Sequence, residues 1–286
     1  MRKFTHTVFR SGIKWKLFLF IALTAFSIAQ QEIDYGSNPK AGQYVRVNDI
    51  TLYYEVYGKG HPLLLMHGNS GSIASFGKLI PFLAKHYKVI AVDSRAQGKT
   101  EDSERELTFE QIASDFSILL DSLHLDNVYA LGWSDGGIVG LQMAYSYPKK
   151  ISKLVTIGAN FSADSTALAA ENFDTTKIVW FRSLNAIDQQ KIIHGSPYPD
   201  RAGIIFDKLI NLDLKYPNFT PEQLGSITIP TLVVAGDHDI IIDTHTLKLF
   251  HALPNAQLFI VPNSPHHVPI AKPKLLDEIV TEFFGQ

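Results

Sequence analysis

The amino-acid sequence predicts an α/β protein built on a mostly parallel central sheet that is flanked by helices. Short apolar runs rich in β-branched residues alternate with longer amphipathic runs from residue 44 to residue 284. Helices of ten or more residues between strands imply right-handed crossovers, and such crossovers make the joined strands parallel. A mixed, aromatic-rich stretch between residues 158 and 229 interrupts the alternation and supplies no strand of its own.

The predicted strands begin with a hairpin. Tyr44 to Val47 and Ile50 to Tyr57 form its two arms, and Asn48 and Asp49 form the turn between them. Six further runs follow the hairpin, each short and apolar as buried strands are. In chain order they are Leu63–Met66, Lys88–Val92, Val128–Leu131, Lys153–Ile157, Thr231–Ala235 and Gln257–Val261.

The predicted helices have apolar residues at helical spacing. The clearest pattern runs from Thr108 to Leu123, with Phe109, Ile112 and Phe116 on one face. Thr108 is a suitable N-cap because its hydroxyl oxygen can accept a hydrogen bond from the first helical turn. The other predicted helices are Phe76–Lys85, Ile138–Tyr147, Thr244–Leu253 and Lys274–Phe284.

Composition and charge exclude several classes of protein. The chain has 286 residues, of which 45% are hydrophobic and 19% charged, and its net charge is -2. These values are typical of a globular protein, and the absence of a basic run after residue 16 argues against a nucleic-acid partner. Because the sequence has no cysteine, disulfides and thiolate chemistry cannot contribute.

The first thirty residues have the pattern of a secretory signal peptide. A basic stretch precedes thirteen almost wholly apolar residues, Leu17 to Ala29, which end in a small-x-small cleavage pattern at Ser27 to Ala29. We therefore predict a signal peptide at residues 1–29, export to the periplasm or the medium, and one domain over residues 30–286. An uncleaved membrane anchor is the alternative, although the apolar run is shorter than the ~20 residues that a spanning helix needs.

The sequence Gly132-Trp133-Ser134-Asp135-Gly136 has the pattern G-x-S-x-G at the junction of a predicted strand and a predicted helix. A serine on such a sharp turn has its Oγ exposed above the sheet, and the flanking glycines avoid a clash with neighbouring backbone. Ser134 is therefore a candidate nucleophile. It requires a base, an orienting acid and an oxyanion hole.

Polar residues follow the other predicted strands. Reactive groups of an open parallel sheet lie at the carboxyl ends of its strands. The segments at those ends are His67-Gly68-Asn69, Asp93-Ser94-Arg95-Ala96-Gln97-Gly98, Gly236-Asp237-His238-Asp239 and Pro262-Asn263-Ser264-Pro265-His266-His267.

This order of serine, aspartate and histidine resembles the α/β-hydrolase family, from about Tyr44 to Phe284. The resemblance favours Asp239 over Asp237 as the acid, because the acid commonly stands three residues after the glycine that ends its strand. It favours His266 as the base, with Asp237 and His267 as the alternatives. The family also implies a helical cap inserted after the sixth strand, at about residues 159–228, over a core at about 43–158 and 229–286.

Side-chain chemistry gives each of these residues a role. A neutral imidazole at His266 can accept the Ser134 proton, and Asp239 can fix the ring tautomer and stabilise the imidazolium. The predicted oxyanion donors are the backbone N–H groups of Asn69 and Asp135. His67, Gly68 and the Asp93–Gly98 turn, which has Ala96 where the family has glycine, are interpreted as structural.

The predicted substrate contacts are Trp133, Asp135 and Asn160. Gly132 to Gly137 and Gly158 to Asn160 resemble the biphenyl-hydrolase-like, or valacyclovir-hydrolase-like, branch, which includes enzymes acting on amino-acid esters. The Asp135 carboxylate either only benefits from the helix N-terminus or faces the pocket and attracts a substrate ammonium group. Aromatic residues of the cap either pack it onto the core or line an apolar pocket.

No cofactor or metal ion is implied. The sequence has no P-loop or G-x-G-x-x-G fingerprint, and the histidine and aspartate pairs near residues 238 and 266 are explained by the catalytic residues. The remaining histidines on predicted helices are expected to be solvated. They are His86, His124, His245 and His251.

The sequence thus predicts a serine hydrolase that cleaves a small carboxylic ester, or a related lactone, amide or thioester, through an acyl-enzyme at Ser134. A C–C bond hydrolase and a cofactor-free perhydrolase are alternatives on the same residues. A haloalkane dehalogenase is disfavoured because its chemistry needs a carboxylate in place of Ser134. A non-catalytic ligand-binding protein on the same fold is the alternative of another class.

Overall fold

The computed structural model describes residues 33–168, 183–185, 188 and 197–285. These residues contain an eight-stranded sheet with the order β1-β2-β4-β3-β5-β6-β7-β8. The strands are β1 (Gly42–Val47), β2 (Ile50–Tyr57), β3 (His61–Met66), β4 (Tyr87–Val92), β5 (Val128–Trp133), β6 (Ile151–Ile157), β7 (Thr231–His238) and β8 (Ala256–Pro265). Strand β2 is antiparallel to both of its neighbours, and every pair from β4 to β8 is parallel. The predicted mostly parallel sheet is confirmed.

Helices cover both faces of this sheet. They are α1 (Ile80–Leu83), α2 (Phe109–Ser122), α3 (Asp135–Ser146), α4 (Ala202–Lys215), α5 (Pro221–Gly225), α6 (Asp243–Ala252), α7 (Val268–Ala271) and α8 (Pro273–Phe284). Consecutive residues of a strand pack on opposite faces of the sheet. Ala130 belongs to the apolar cluster with α2 and α3, whereas Leu131 belongs to the cluster with α8. The apolar core therefore lies in two layers, one on each side of the sheet.

One predicted helix is wrong. No continuous helix runs from Phe76 to Lys85. A 3₁₀ turn at Ile73–Phe76 ends where the predicted helix would begin, and the single-turn helix α1 follows it. Pro81 stands in the first turn of α1, where its missing N–H is harmless. A continuous helix from Phe76 would bring the proline ring against the carbonyl of Gly77 and remove one hydrogen bond.

Helix α2 follows the sequence pattern closely. Thr108 caps it by accepting a hydrogen bond from the Gln111 N–H at 3.1 Å, and the residues at helical spacing are buried. The helix ends at Ser122, and Leu123 is its C-cap. Local propensity and burial agree here, so the bounds could be predicted within a residue.

The described part of the cap includes the helices α4 and α5 between β6 and β7. Helix α4 has 14 residues and buries Ala202, Ile205, Leu209 and Leu212 against the core. Lys208 and Arg201 both bind the carboxylate of Asp102, whose side chain is 1% exposed. Apolar packing and these ion pairs hold α4 against the core at two faces.

The expectation that His245 of α6 is solvated is wrong. Its side chain is buried, stacks on Phe161 with ring centroids 4.0 Å apart, and accepts a hydrogen bond from the Phe161 N–H at 3.1 Å. Burial lowers the pKa of His245 to about 4. The imidazole therefore holds the first residues of the cap as a neutral group. His86, His124 and His251 are exposed.

The predicted signal peptide at residues 1–29 lies outside the described residues. Parts of the predicted cap, among them residues 169–182, also lie outside them. Among the helices that are described, none combines the length and the apolar character needed to cross a membrane.

Candidate active site

Ser134 lies on a sharp turn between β5 and α3. Its backbone has φ 55° and ψ −120°, an unusual conformation for a residue with a side chain. The Ser134 N–H donates to the Ile157 carbonyl at 2.7 Å, and the Ser134 carbonyl accepts hydrogen bonds from Gly137 and Ile138. These bonds hold the strained turn and leave the side chain half-buried at the carboxyl edge of the sheet.

The glycines around Ser134 are required by close backbone contacts. A Cβ at Gly132 would lie 2.0 Å from the Gly136 oxygen, and one at Gly136 would lie 2.1 Å from the Met66 oxygen. Gly68 faces the nucleophile itself, where a Cβ would lie 3.0 Å from Ser134 Cβ. The G-x-S-x-G pattern thus has a steric cause in this fold.

His266 and Asp239 form a buried pair. The distance from His266 Nδ1 to Asp239 Oδ1 is 2.6 Å, and the two side chains are 7% and 0% exposed. Asp239 also accepts hydrogen bonds from the backbone N–H groups of Ile241 and Gly236, at 3.0 and 3.3 Å. The carboxylate is therefore fixed from three directions, and its bond to Nδ1 leaves Nε2 of the imidazole as the proton acceptor.

Asp237, the alternative acid, has other partners. It accepts hydrogen bonds from the backbone N–H groups of Asn263 and Ser264, at 2.8 and 2.9 Å, and contacts His238. These bonds hold the pKa of Asp237 below its ordinary value. Asp237 therefore binds the backbone of β8 near its carboxyl end. Asp239, and not Asp237, contacts His266.

Trp133 and Gly158 position the imidazole of His266. Trp133 Nε1 donates to the His266 carbonyl at 2.9 Å. A Cβ at Gly158, which has φ 58°, would lie 2.8 Å from both Cε1 and Nδ1 of His266. His267 is exposed and meets the Trp133 ring edge-on, with centroids 5.4 Å apart.

The loop that carries Asn69 is held by His67. His67 is 1% exposed, its Nδ1 contacts the Gly68 carbonyl at 2.8 Å, and its Nε2 accepts from the Ser94 N–H at 3.0 Å. The His67 ring thus joins this loop to the turn after β4. Among the described residues, the backbone N–H groups of Asn69 and Asp135 donate to no protein acceptor, so both are available to a ligand.

A pair of carboxyl groups lies beside these donors. Asp135 of α3 and Asp213 of α4 are close enough to interact, and burial raises the pKa of Asp213 and raises that of Asp135 well above its ordinary value. The nearby Asp213 charge raises the Asp135 pKa further. Asn69 Nδ2 donates to Asp213 Oδ1 at 3.0 Å. At neutral pH the pair therefore retains a proton, since two adjacent buried carboxylates cannot both ionise freely.

A pocket of about 260 Å³ joins the predicted site residues. Ser134, His266, Asn69 and the Asp135–Asp213 pair line it. Leu168, Tyr216, Ile240 and Ile241 add an apolar part to the lining. Trp133 and Asn160 also line the pocket, and Asn160 Nδ2 donates to the Ser162 carbonyl at 2.9 Å.

One residue of the pocket, Asp213, is not predicted by the sequence. It lies in the aromatic-rich stretch for which the sequence predicts no regular element, although the spacing of Ile205, Leu209 and Leu212 is a helical signal. That signal could have predicted α4. It could not have predicted that Asp213 faces the pocket. Tyr216 is one of the cap aromatics for which the sequence leaves core packing and pocket lining open, and it lines the pocket.

Within the described chain, no group of three or more histidine, aspartate or glutamate side chains is arranged to hold a metal ion. The groups that could contact a bound molecule are the serine hydroxyl, the imidazole, the two free N–H groups and the carboxyl pair. Such a set can transfer protons and stabilise a developing negative charge.

Comparison with known proteins agrees with this fold. Residues 61–192 match the family model described as the alpha/beta hydrolase fold. The chain is 27% identical over 262 residues to the uncharacterized hydrolase YugF of Bacillus subtilis, covering 83% of this chain and 95% of that protein. It is 28% identical over 250 residues to the human serine hydrolase BPHL, covering 84% of each.

A solved structure has the same fold. The hydrolase from Pseudomonas aeruginosa PA01 superposes with a TM-score of 0.70 at 21% identity, covering 87% of this chain and all of that one. Fold, family model and relatives together define a class of protein: the chain is a hydrolase. It has the α/β-hydrolase fold.

Proposed function

We propose that this protein is a serine hydrolase that cleaves a small carboxylic ester, or a related acyl compound, through an acyl-enzyme at Ser134. The observation that carries this proposal is the convergence of Ser134 and the buried His266–Asp239 pair on one pocket. A serine hydroxyl is a poor nucleophile at neutral pH unless an adjacent base accepts its proton.

The first half of the reaction forms the acyl-enzyme. His266 Nε2 accepts the Ser134 proton as Oγ attacks the substrate carbonyl, and Asp239 stabilises the imidazolium through Nδ1. When the tetrahedral intermediate collapses, His266 gives the proton to the leaving alcohol. Water then attacks the acyl carbon with His266 again as the base, which releases the carboxylic acid and regenerates Ser134.

The oxyanion of each tetrahedral intermediate requires donors that are already oriented. The free backbone N–H groups of Asn69 and Asp135 support this role. Loss of one donor of this kind typically costs about 10²- to 10³-fold in rate.

The pocket supports a small substrate. Its volume of about 260 Å³ is below the usual range for drug-sized ligands. The apolar wall at Leu168, Tyr216 and Ile241 is suited to a short acyl or alcohol chain.

The proposal is tested by labelling with a fluorophosphonate and by an ester, lactone and aminoacyl-ester panel. We expect one phosphonyl group on the Ser134 peptide by mass spectrometry, and loss of label and activity in Ser134→Ala. Ser122→Ala, which changes an exposed serine at the end of α2, is the matched control and should be labelled as wild type. A wild-type protein that is unlabelled and inactive across the panel contradicts the proposal.

Additional substrates and a binding measurement distinguish the alternatives. Turnover of a vinylogous diketone without ester hydrolysis would assign C–C bond cleavage, and peracid formation from acid and peroxide would assign a perhydrolase. Tight ligand binding without turnover would assign a binding protein.

A second candidate function concerns the substrate class. The Asp135 carboxyl faces the pocket beside Asp213, and among the described residues its Oδ2 has no hydrogen-bond partner. This supports recognition of an ammonium group, whose positive charge would neutralise the single negative charge of a pair that keeps one proton. We expect Asp135→Ala to lower kcat/KM for α-amino esters relative to plain esters of equal size. An unchanged ratio contradicts this role.

We also propose that the protein is exported and cleaved after Ala29. The basic stretch followed by Leu17 to Ala29 supports this proposal. N-terminal sequencing of the mature protein should begin at Gln30; an intact Met1 to Ala29 segment contradicts it.

A further inference from the structure

The two predicted oxyanion donors share an unexpected feature in their side chains. Asn69 follows β3 and Asp135 begins α3, so the two residues come from separate loops. Yet both side chains interact with one residue of the cap, Asp213. We propose that Asp213 is a positioning residue that holds both backbone donors of the oxyanion hole, an inference that rests on the proposed serine hydrolase function.

Both polar atoms of the Asn69 side chain form hydrogen bonds. Its Nδ2 donates to Asp213 Oδ1 at 3.0 Å and to the Leu209 carbonyl at 3.2 Å, while its Oδ1 accepts from Ser70 Oγ at 2.8 Å. Two of the three partners belong to α4. Rotation of the Asn69 peptide group would therefore require hydrogen bonds to the cap to break.

Asp135 is attached to the same point by a different interaction. Burial and proximity keep a proton on the Asp135–Asp213 pair, so a carboxylic acid can donate to a carboxylate where two anions would repel. This contact connects the start of α3 to α4. The Asp135 N–H lies at the turn that begins with Ser134, and the Asp135 side chain lies against the Asp213 carboxyl.

Helix α4 is itself firmly attached on both sides of Asp213. Lys208 binds Asp102 at 2.9 Å, and Lys215 binds Glu106 at 2.5 Å. Leu209 and Leu212 are buried against the core. Through Asp213, the position of helix α4 therefore determines the orientation of the two backbone donors of the oxyanion hole.

Loss of the Asp213 carboxyl should lower catalysis more than substrate binding. The donors act on charge that develops in the transition state, so their misalignment lowers kcat while KM changes little. A misaligned donor costs less than a deleted one, so we expect Asp213→Ala to lower kcat by about 10- to 100-fold, with KM within about threefold of wild type.

The first experiment compares three variants on an uncharged ester, which removes any contribution of ammonium binding. Asp213→Asn keeps an oxygen acceptor for Asn69 and an amide donor for Asp135, so its kcat should recover to within about threefold of wild type. Asn211→Ala, at an exposed position of α4, is the control and should behave as wild type. An Asp213→Asn variant as impaired as Asp213→Ala, or an unimpaired Asp213→Ala, overturns the proposal.

The second experiment is a double-mutant cycle measured by the rate of phosphonylation at Ser134. Asn69→Ala retains the backbone N–H and removes only the side chain that Asp213 holds. We expect Asp213→Ala to slow labelling at least as much as Asn69→Ala does, and the double variant to be no slower than Asp213→Ala. Factors that multiply would mean that Asp213 does not act through Asn69, and overturn the proposal.

Thermal unfolding of each variant precedes the kinetics. If Asp213→Ala does not fold, Asp213→Leu and Asn69→Ala carry the same comparison. The outcomes also separate the two proposals: a wild type that phosphonate does not label contradicts the hydrolase function, whereas a labelled wild type and an equally fast Asp213→Ala contradict only the positioning role.

Discussion

Ser134, Asp239 and His266 lie on loops that directly follow β5, β7 and β8, whereas Asp213 and Tyr216 come from α4 and the residue after it, in the cap between β6 and β7. The two regions line the same pocket. They are held in different ways. Backbone hydrogen bonds and close glycine contacts hold the sheet edge, while side-chain ion pairs and apolar packing hold the cap helix.

The sheet edge and the cap contribute different things to the pocket. The sheet edge positions the proposed nucleophile, base and acid within narrow limits, because a parallel sheet brings the carboxyl ends of its strands to one edge. The cap supplies Leu168 and Tyr216 to the pocket lining, and one carboxyl of the buried pair. Changes at the sheet edge should therefore alter the rate of the chemical step. Changes at the apolar cap residues Leu168 and Tyr216 should alter substrate preference or stability, whereas Asp213 is the cap residue whose loss should lower the rate.

The largest effect is expected at the acid of the sheet edge. Asp239→Asn should lower kcat by about 10⁴-fold, because the amide cannot hold the correct histidine tautomer or stabilise the imidazolium. Asp237→Asn, two residues earlier and within β7, should change kcat by less than about threefold. Ester turnover measures both. Equal losses in the two variants would contradict the assignment of Asp239.

A smaller effect is expected at Gly158, which lies under the imidazole. Gly158→Ala places a methyl group 2.8 Å from His266 Nδ1 and Cε1 at a positive φ, so the ring must move. A displacement of this size typically costs about 10²-fold in kcat. Gly225→Ala is the matched control, since its Cβ would meet no atom within 4 Å. A Gly158→Ala enzyme with wild-type kcat would mean that the ring position is not critical.

The smallest effect is expected where α6 meets the cap, and it depends on pH. The folded-state pKa of His245 is lowered to about 4 from 6.5, so the unfolded chain binds more protons between these values. The free energy of unfolding should therefore fall by about 1 to 3 kcal/mol as pH decreases from 6.5 to 4.

Substitution at this position should remove the pH dependence. His245→Gln keeps an acceptor for the Phe161 N–H but does not titrate, so its unfolding free energy should vary less over this window than that of wild type. His251→Gln, exposed on the same helix, should vary as wild type does. Urea unfolding at pH 4, 5, 6 and 7 measures all three proteins. If His245→Gln leaves the pH dependence of the unfolding free energy unchanged, that dependence arises from other groups.

Much of the sheet edge could be predicted because its signals are local. Each strand is a short apolar run, and each functional segment stands directly after one. The prediction failed where tertiary contacts override local pattern. His245 lies on a helix with ordinary spacing, yet the first cap residues cover it, and no neighbour in the sequence reports that burial.

The sequence by itself determined the α/β class, the strand-to-helix turn at Ser134 and the candidate acid and base, because these depend on residue types at fixed positions relative to strand ends. Only the tertiary structure decided that Asp239 and not Asp237 meets His266, and that Asp213 meets Asn69 and Asp135. The physical reason is separation along the chain: Asn69 and Asp213 are 144 residues apart. Their contact depends on how α4 packs, and local residue patterns carry no record of that packing.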